Sequence, residues 1–281
     1  MADRFEFYKM TGAGNDFILG DNRRGEWNQW PIQRLARGLC RRGLSVGADG
    51  LILIENSNRA SFRLRMYNSD GSQSDMCGNG ARCAARFALL KVIAGRRMTI
   101  ETPAGILDAE LLPDNMVRVE MPGKAVPPRR LNFSIRGRSV PALLTDTGVP
   151  HLVVLVRDLE SVPVVSLGRT LRSSPEAGPD GANVDFVSVM SGEPYPMRTY
   201  ERGVENETLA CGTGATAVAW VLHHLGYAGS TVNLLVRSGQ NLEVRIVPRG
   251  SGIYPFTLKG DARVVFRGFL SEESLQEALE C

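Results

Sequence analysis

A pentapeptide is written twice in this chain, as Cys77-Gly78-Asn79-Gly80-Ala81 and as Cys211-Gly212-Thr213-Gly214-Ala215, each time at the head of an apolar stretch with helical spacing. The first predicted helix continues through Ala85, Phe87, Ala88, Leu89 and Leu90, the second through Ala219, Trp220, Val221 and Leu222. Small residues along both imply close neighbours, so each helix is expected to be central and enclosed. A helix start duplicated in this way constrains the chain to two related halves, with both helix N-termini directed at one site.

The duplication continues downstream. Residues 98–102 and 107–111 read as strands around Pro103-Ala104-Gly105, and residues 232–237 and 242–247 read likewise around Ser238-Gly239-Gln240. The cysteines are 134 positions apart, and Leu107 and Leu242 are 135 apart. Upstream, Asn15 and Asn183 each stand at the edge of an apolar strand, yet 168 positions separate them. The first half is therefore expected to hold extra segments, with a helix near 32–40 and a strand near 51–54 as candidates. The expected fold is α+β: two pseudo-symmetric halves, each a curled, mostly antiparallel sheet around a central helix. The N-terminal half takes residues 1–122 plus about 261–281 and carries Cys77; the C-terminal half takes 123–260 and carries Cys211. Their boundary falls in the Pro-rich run 121–131, and residues 272–279 read as a closing helix.

The chemistry follows from where the cysteines stand. A helix N-terminus presents unpaired N–H groups and a partial positive charge, and glycines let an anion approach them closely. A free cysteine titrates near about 8.5, and such positions lower that value to about 3.5–7.5. Cys77 and Cys211 are thus both expected to exchange protons near neutral pH. The plainer alternative for the motif is a tight helix start around a small buried cysteine.

Composition narrows the classes. A chain of 281 residues supports one large or two modest domains, and 43% apolar with 22% charged residues is ordinary for a globular protein. A net charge of +3 gives no case for nucleic acid, and the basic clusters at 34–42 and 129–130 lack interleaved aromatics. No run approaches 18 apolar residues, so no membrane partner is expected, and residues 1–6 lack a signal-peptide pattern; a cytoplasmic location is expected. Five cysteines (Cys40, Cys77, Cys83, Cys211, Cys281) are an odd count without framework spacing, which fits a reducing compartment. No metal site is expected: there is no CxxC, and the adjacent His223 and His224 cannot both face one ion from a regular helix.

The run from Asn68 through Asp70-Gly71-Ser72 to Cys77-Gly78-Asn79-Gly80-Ala81-Arg82 closely resembles the signature of the diaminopimelate epimerase family. Lys9-Met10-Thr11-Gly12-Ala13-Gly14-Asn15-Asp16-Phe17, Gly148-Val149-Pro150-His151, Glu201-Arg202-Gly203 and Ala210-Cys211-Gly212-Thr213-Gly214 support it in the same order. The resemblance covers essentially the whole chain and implies an isomerase that uses no cofactor and converts LL-2,6-diaminopimelate to the meso form, a step toward lysine and peptidoglycan. It also implies a homodimer. Cys77 and Cys211 would be the acid and base. His151 and Glu201 would support them, setting protonation or holding the reacting α-ammonium. The first-turn groups of Gly78, Asn79, Gly212 and Thr213 would hold the α-carboxylate. Asn15, Asn68, Asn183 and Arg202 would read the far end of the substrate, the arginine through its planar fork.

Two positions depart from the family pattern: Val149 stands where many members place Asn, and Gly50 where some place Gln. Two other readings remain at this point. One is a related two-cysteine racemase acting on proline or hydroxyproline, in which a histidine commonly replaces Asn79. The other is a non-catalytic thiol switch between Cys77 and Cys211.

Overall fold

The computed structural model describes residues 5–122, 125–135, 137–247 and 255–280. Gly123, in the expected boundary, and Cys281 lie outside the described residues. The chain divides into two compact units, residues 1–119 with 260–281, and residues 120–259.

The first unit opens with β1 (Phe5–Gly12) and β2 (Asn15–Asp21), an antiparallel pair. Their turn places Ala13 at φ of 53° and Gly14 at 101°, and the second value is one that a glycine tolerates at little cost. Helix α1 (Ile32–Leu39) leads to β3 (Gly50–Glu55), parallel to β2. Next come β4 (Phe62–Asn68), antiparallel to β3, and the short β5 (Gln73–Ser74). Helix α2 (Gly78–Leu90) crosses to β6 (Arg97–Thr102), parallel to β4, and the antiparallel strands β7 (Gly105–Leu111) and β8 (Met116–Met121) follow.

The second unit has β9 (Arg129–Ile135), β10 (Arg138–Asp146) and β11 (Pro150–Val156), paired antiparallel in that order. Helix α3 (Val164–Arg172) leads to β12 (Asn183–Ser188), parallel to β11, and then to β13 (Tyr195–Glu201) and β14 (Asn206–Thr208). Helix α4 (Gly212–His224) crosses to β15 (Thr231–Leu235), parallel to β13, before β16 (Asn241–Ile246) and β17 (Phe256–Asp261). Finally β18 (Arg263–Leu270) pairs with β1, and α5 (Glu272–Glu280) packs on α1, so the end of the chain belongs to the first unit. The approach of those helices is close enough that a Cβ on Gly38 would collide with the Ala278 backbone.

The order β1-β2-α1-β3-β4-β5-α2-β6-β7-β8 recurs as β10-β11-α3-β12-β13-β14-α4-β15-β16-β17. This overturns the expectation of extra segments in the first half, because α3 and β12 are the counterparts of α1 and β3. Asn183 opens β12, so its mate is Gly50 at the head of β3, whereas the mate of Asn15 lies beside Val149 at the head of β11. An asparagine before an apolar run marks many strand starts, and these two mark different ones.

Each long helix is enclosed by its own unit. Helix α2 touches β1, β2, β3, β4, β6 and β7, and α4 touches β10, β11, β12, β15 and β16. Both are 13 residues long, and ten residues of each are buried. A second core layer in the first unit gathers Phe7, Ile18, Trp27, Leu35, Leu39, Leu51 and Leu275 beneath α1 and α5. Its counterpart in the second unit gathers Phe133, Leu152, Leu171, Val184, Phe186 and Tyr200 beside α3. Burying side chains of this size contributes about 1.5–3 kcal/mol each, so the two helix N-termini rest on stable frames.

Candidate active site

Cys77 and Cys211 are the N-cap residues of α2 and α4, with φ/ψ of −140°/120° and −122°/118°. In each, the sulfur accepts a hydrogen bond from the backbone N–H three residues on, at 3.5 Å from Gly80 and 3.4 Å from Gly214. An N-cap is usually Ser, Thr, Asp or Asn, whose oxygen accepts that bond. Sulfur is a weak acceptor as a thiol and a better one as a thiolate, so the cap and the proton state of the cysteine are coupled. The N–H groups of Gly78 and Asn79, and of Gly212 and Thr213, belong to the same first turns, where helical geometry points them out of the helix end.

The surroundings of the two sulfurs differ. Cys77 is partly exposed. Cys211 is 6% exposed and shares a 3.3 Å hydrogen bond with the Thr213 hydroxyl. Burial, with the nearby Glu201 and Asp185 carboxylates, pushes the Cys211 thiol well above the usual range against the Thr213 and Gly214 hydrogen bonds. The expectation that both cysteines are lowered is corrected for Cys211: desolvation and two negative neighbours outweigh the hydrogen bonds from Thr213 and Gly214. Cys83, six residues beyond the cap on α2, is fully enclosed, and burial pushes its thiol up to about 12.

Around α2, the buried Arg82 donates to the carbonyls of Asp261 (3.2 Å) and Gly78 (3.3 Å) and to Asn79 Oδ1 (2.8 Å). Asn79 Nδ2 donates to Asn15 Oδ1 at 2.5 Å, and Asn15 Nδ2 donates to Asp49 Oδ2 at 2.9 Å. Asp49 and Asp16 both pair with Arg42, and Asp16 also pairs with Lys9. Burial opposes ionisation of Asp16, but hydrogen bonds from Arg42 and Lys9 hold its carboxyl below the usual range. This chain of donors from a buried cation to paired carboxylates fixes the amide of Asn15. Asn68 lies at the end of β4, with Nδ2 on the Ser72 hydroxyl at 3.0 Å and its N–H on the Ser72 carbonyl. Gly50 faces Asn68 across β3 and β4, and a Cβ there would sit 2.6 Å from the Tyr67 carbonyl; that proximity accounts for a glycine at this departure from the family pattern.

Around α4, His151 is wholly buried, with Nδ1 2.7 Å from Asp185 Oδ2. Asp185 Oδ1 accepts from the Thr199 hydroxyl at 2.7 Å. Asn183 Oδ1 accepts from the Arg202 backbone N–H at 2.8 Å, which turns Asn183 Nδ2 toward His151 Nε2 at 3.4 Å and the Pro150 carbonyl at 3.5 Å. The Arg202 guanidinium donates to the carbonyls of Gly181 (3.2 Å) and Asp180 (3.5 Å), so part of its fork is engaged by a loop. Glu201 closes β13 near Cys211. His151, Asn183, Glu201, Arg202, Cys211 and Thr213 are thus gathered by one unit, and Asn15, Asn79 and Cys77 by the other.

Sequence reasoning passed over Asp185, Thr199, Asp49 and Arg82. For the first two a signal existed: Asp185 stands two residues after Asn183, and Thr199 two before Glu201, which puts each on the same strand face as a candidate. Among the described residues no three His, Cys, Asp or Glu side chains converge as a metal-ligand set.

Two enclosed helices in a repeated mixed-sheet frame define a class of fold seen in solved structures. A PhzF-family phenazine biosynthesis protein from Bacillus anthracis superposes with a TM-score of 0.73 at 16% identity, covering 96% of this chain and 99% of that one. A probable proline racemase from Agrobacterium radiobacter gives 0.72 at 16% identity, covering 95% and 93%. Within that class the sequence is more specific. Residues 7–126 and 143–258 match the family described as diaminopimelate epimerase. The diaminopimelate epimerase of Aquifex aeolicus is 42% identical over 96% of this chain and 99% of its own, and that of Chlorobaculum tepidum is 40% identical over 93% and 100%. The chain belongs to the diaminopimelate epimerase family.

Proposed function

We propose that this chain epimerises LL-2,6-diaminopimelate to the meso form, without a cofactor, through proton exchange by Cys77 and Cys211. The observation that carries the reading is the pair of cysteine-capped helix N-termini with matching backbone geometry, in a chain that shares more than two fifths of its residues with an epimerase of that name. An amino-acid α-proton is far less acidic than a thiol, so the site must stabilise the charge that grows as the proton leaves. First-turn N–H groups at Gly78, Asn79, Gly212 and Thr213 offer preorganised donors to the α-carboxylate, and such donors contribute about 3–4 kcal/mol each.

In this reading Cys211, buried beside two carboxylates, rests as the thiol and serves as the acid, which leaves the Cys77 sulfur the part of the base. The Cys77 sulfur takes the α-proton, and the Cys211 S–H delivers its own to the opposite face. The centre inverts, and the two sulfurs finish with their proton states exchanged. Glu201 and His151 serve the reacting end. Asn15, Asn68, Asn183 and Arg202 serve the distal amino acid, where an unpaired polar group would penalise a shorter substrate. The reading includes a homodimer, for which the exposed Val265, Phe266 and Phe269 on β18 offer apolar surface, and a cytoplasmic location, consistent with the unbridged Cys40, Cys77, Cys83 and Cys211.

Incubation with LL-diaminopimelate in heavy water tests this directly. Stereochemical inversion should accompany deuterium at the α-carbon, and proline should remain unchanged. Turnover of proline in place of diaminopimelate would move the chain to the racemase reading. Proton exchange with neither substrate, alongside a reversible disulfide, would favour the thiol switch.

A further inference from the structure

The two units carry different chemistry at one equivalent place. In the first, Phe17 faces Gly50 across the parallel strands β2 and β3, and Ile52 faces Met66 across β3 and β4. In the second, His151 faces Asn183 across β11 and β12, and Asp185 faces Thr199 across β12 and β13. The matching extends to the helices: a Cβ on Gly80 would meet Ile52 and Met66, and a Cβ on Gly214 would meet the Asp185 carboxylate. The apolar trio Phe17, Ile52 and Met66 thus corresponds to the polar trio His151, Asp185 and Thr199, and all six side chains are buried. Burying polar and ionisable groups costs free energy unless each finds a partner, and the first unit shows that the frame is satisfied by hydrocarbon.

We propose that Asp185 is a positioning residue that holds His151 as the Nδ1–H tautomer and so leaves Nε2 as a hydrogen-bond acceptor for the Asn183 amide. Three contacts fix the arrangement. Thr199 has its hydroxyl on Asp185 Oδ1, which leaves Oδ2 to accept the His151 Nδ1–H. The Arg202 backbone N–H requires the oxygen of the Asn183 amide, so the Asn183 NH₂ faces His151 Nε2, and an N–H there would set donor against donor. Gly214 permits the carboxylate to lie against the first turn of α4, where the helix favours negative charge. Which ring nitrogen of a histidine carries the proton is set by the partner of the other one. His151 therefore accepts at Nε2 from the Asn183 NH₂ and does not donate to it, which ties the ring to the strand that carries Asn183. Its role in epimerisation rests on the functional reading above, whereas the tautomer does not.

The chain has three histidines, so nitrogen-15 labelling of histidine, with His223→Gln and His224→Gln for assignment, reads the tautomer of His151 directly. At neutral pH the wild-type protein should show protonated Nδ1 and unprotonated Nε2. Asp185→Asn should turn an NH₂ toward Nδ1, reverse the tautomer and lower kcat about 100-fold, with KM changed less than about threefold. Thr199→Val should lower kcat about fivefold to tenfold, and Thr199→Ser should restore it. A wild-type spectrum with protonated Nε2 overturns the proposal, even if Asp185→Asn fails to fold. So does a folded Asp185→Asn with unaltered kcat in an active wild-type background. Wild-type protein that shows the expected tautomer but does not epimerise diaminopimelate would overturn the functional reading and leave the tautomer assignment standing.

Discussion

Helices α2 and α4 share a length, an N-cap residue and a cap geometry, yet α2 stands in front of Phe17, Ile52 and Met66 and α4 in front of His151, Asp185 and Thr199. The cap of α2 is partly exposed and backed by the buried Arg82; the cap of α4 is buried and flanked by Asp185 and Glu201. The repeat therefore supplies two equivalent backbone cradles, and the side chains behind them make one electrostatically different from the other. A reaction that removes a proton on one face and delivers one on the other needs one sulfur protonated and one not, and unlike surroundings give the pair a preferred resting arrangement.

The largest expected effect comes from removing either sulfur. Cys77→Ser and Cys211→Ser should each lower kcat by at least about 10³-fold with the fold unchanged by circular dichroism, because an alcohol is a far weaker acid than a thiol. Substantial turnover by either variant would show that one sulfur suffices and that the two cradles are not partners.

Exchanging the polar trio for its apolar counterpart sharpens the comparison. His151→Phe, Asp185→Ile and Thr199→Met combined should fold with a stability within about 2 kcal/mol of wild type, since well-packed hydrocarbon commonly replaces buried ionic groups at little cost. Its kcat should fall by about 100-fold or more. Activity near wild type would reduce the trio to packing.

A smaller effect separates the glycines of the two first turns. Gly214→Ala drives a methyl into the Asp185 carboxylate and should destabilise by about 1–3 kcal/mol in urea unfolding. Gly80→Ala places its methyl 3.1 Å from the ends of the Ile52 and Met66 side chains, which can move, and gains about 1 kcal/mol of helix propensity; little net change is expected. Equal losses would mean that the two cradles are packed alike.

The smallest effect is kinetic. Iodoacetamide at neutral pH should modify Cys77 before Cys211, with Cys40 and Cys83 protected until unfolding, since burial pushes both of the latter up to about 12. A raised pKa keeps Cys211 protonated at neutral pH, so its modification should accelerate as pH rises into the alkaline range. Faster labelling of Cys211 than of Cys77 at neutral pH would reverse the resting states assigned to them.

Much of this molecule was legible in the sequence because the features concerned are local. The Cys-Gly-x-Gly-Ala caps, the hairpin turn after each helix and the closing segment at 272–279 depend on glycine freedom, capping and short-range periodicity, and they appear as α2, α4, β6 with β7, β15 with β16, and α5. The mate of Asn15 was misread because equivalence between halves is set by strand order, and β12 shares no residue with β3 at matched positions. Hydrogen-bond partners such as Thr199 with Asp185, or Arg82 with Asn79 and Asn15, were beyond reach where they depend on strand register and on which side chains share a face.

Taken alone, the sequence determined that there are two enclosed helices with cysteine caps and a family pattern running the length of the chain. The tertiary structure decided how unlike those caps are: Cys211 is raised because its unit seals it from water beside Glu201 and Asp185, while Cys77 keeps access to solvent. The reason is that a helix N-terminus is a property of a few consecutive residues, whereas desolvation and charge at a sulfur are summed over every group the fold brings near it.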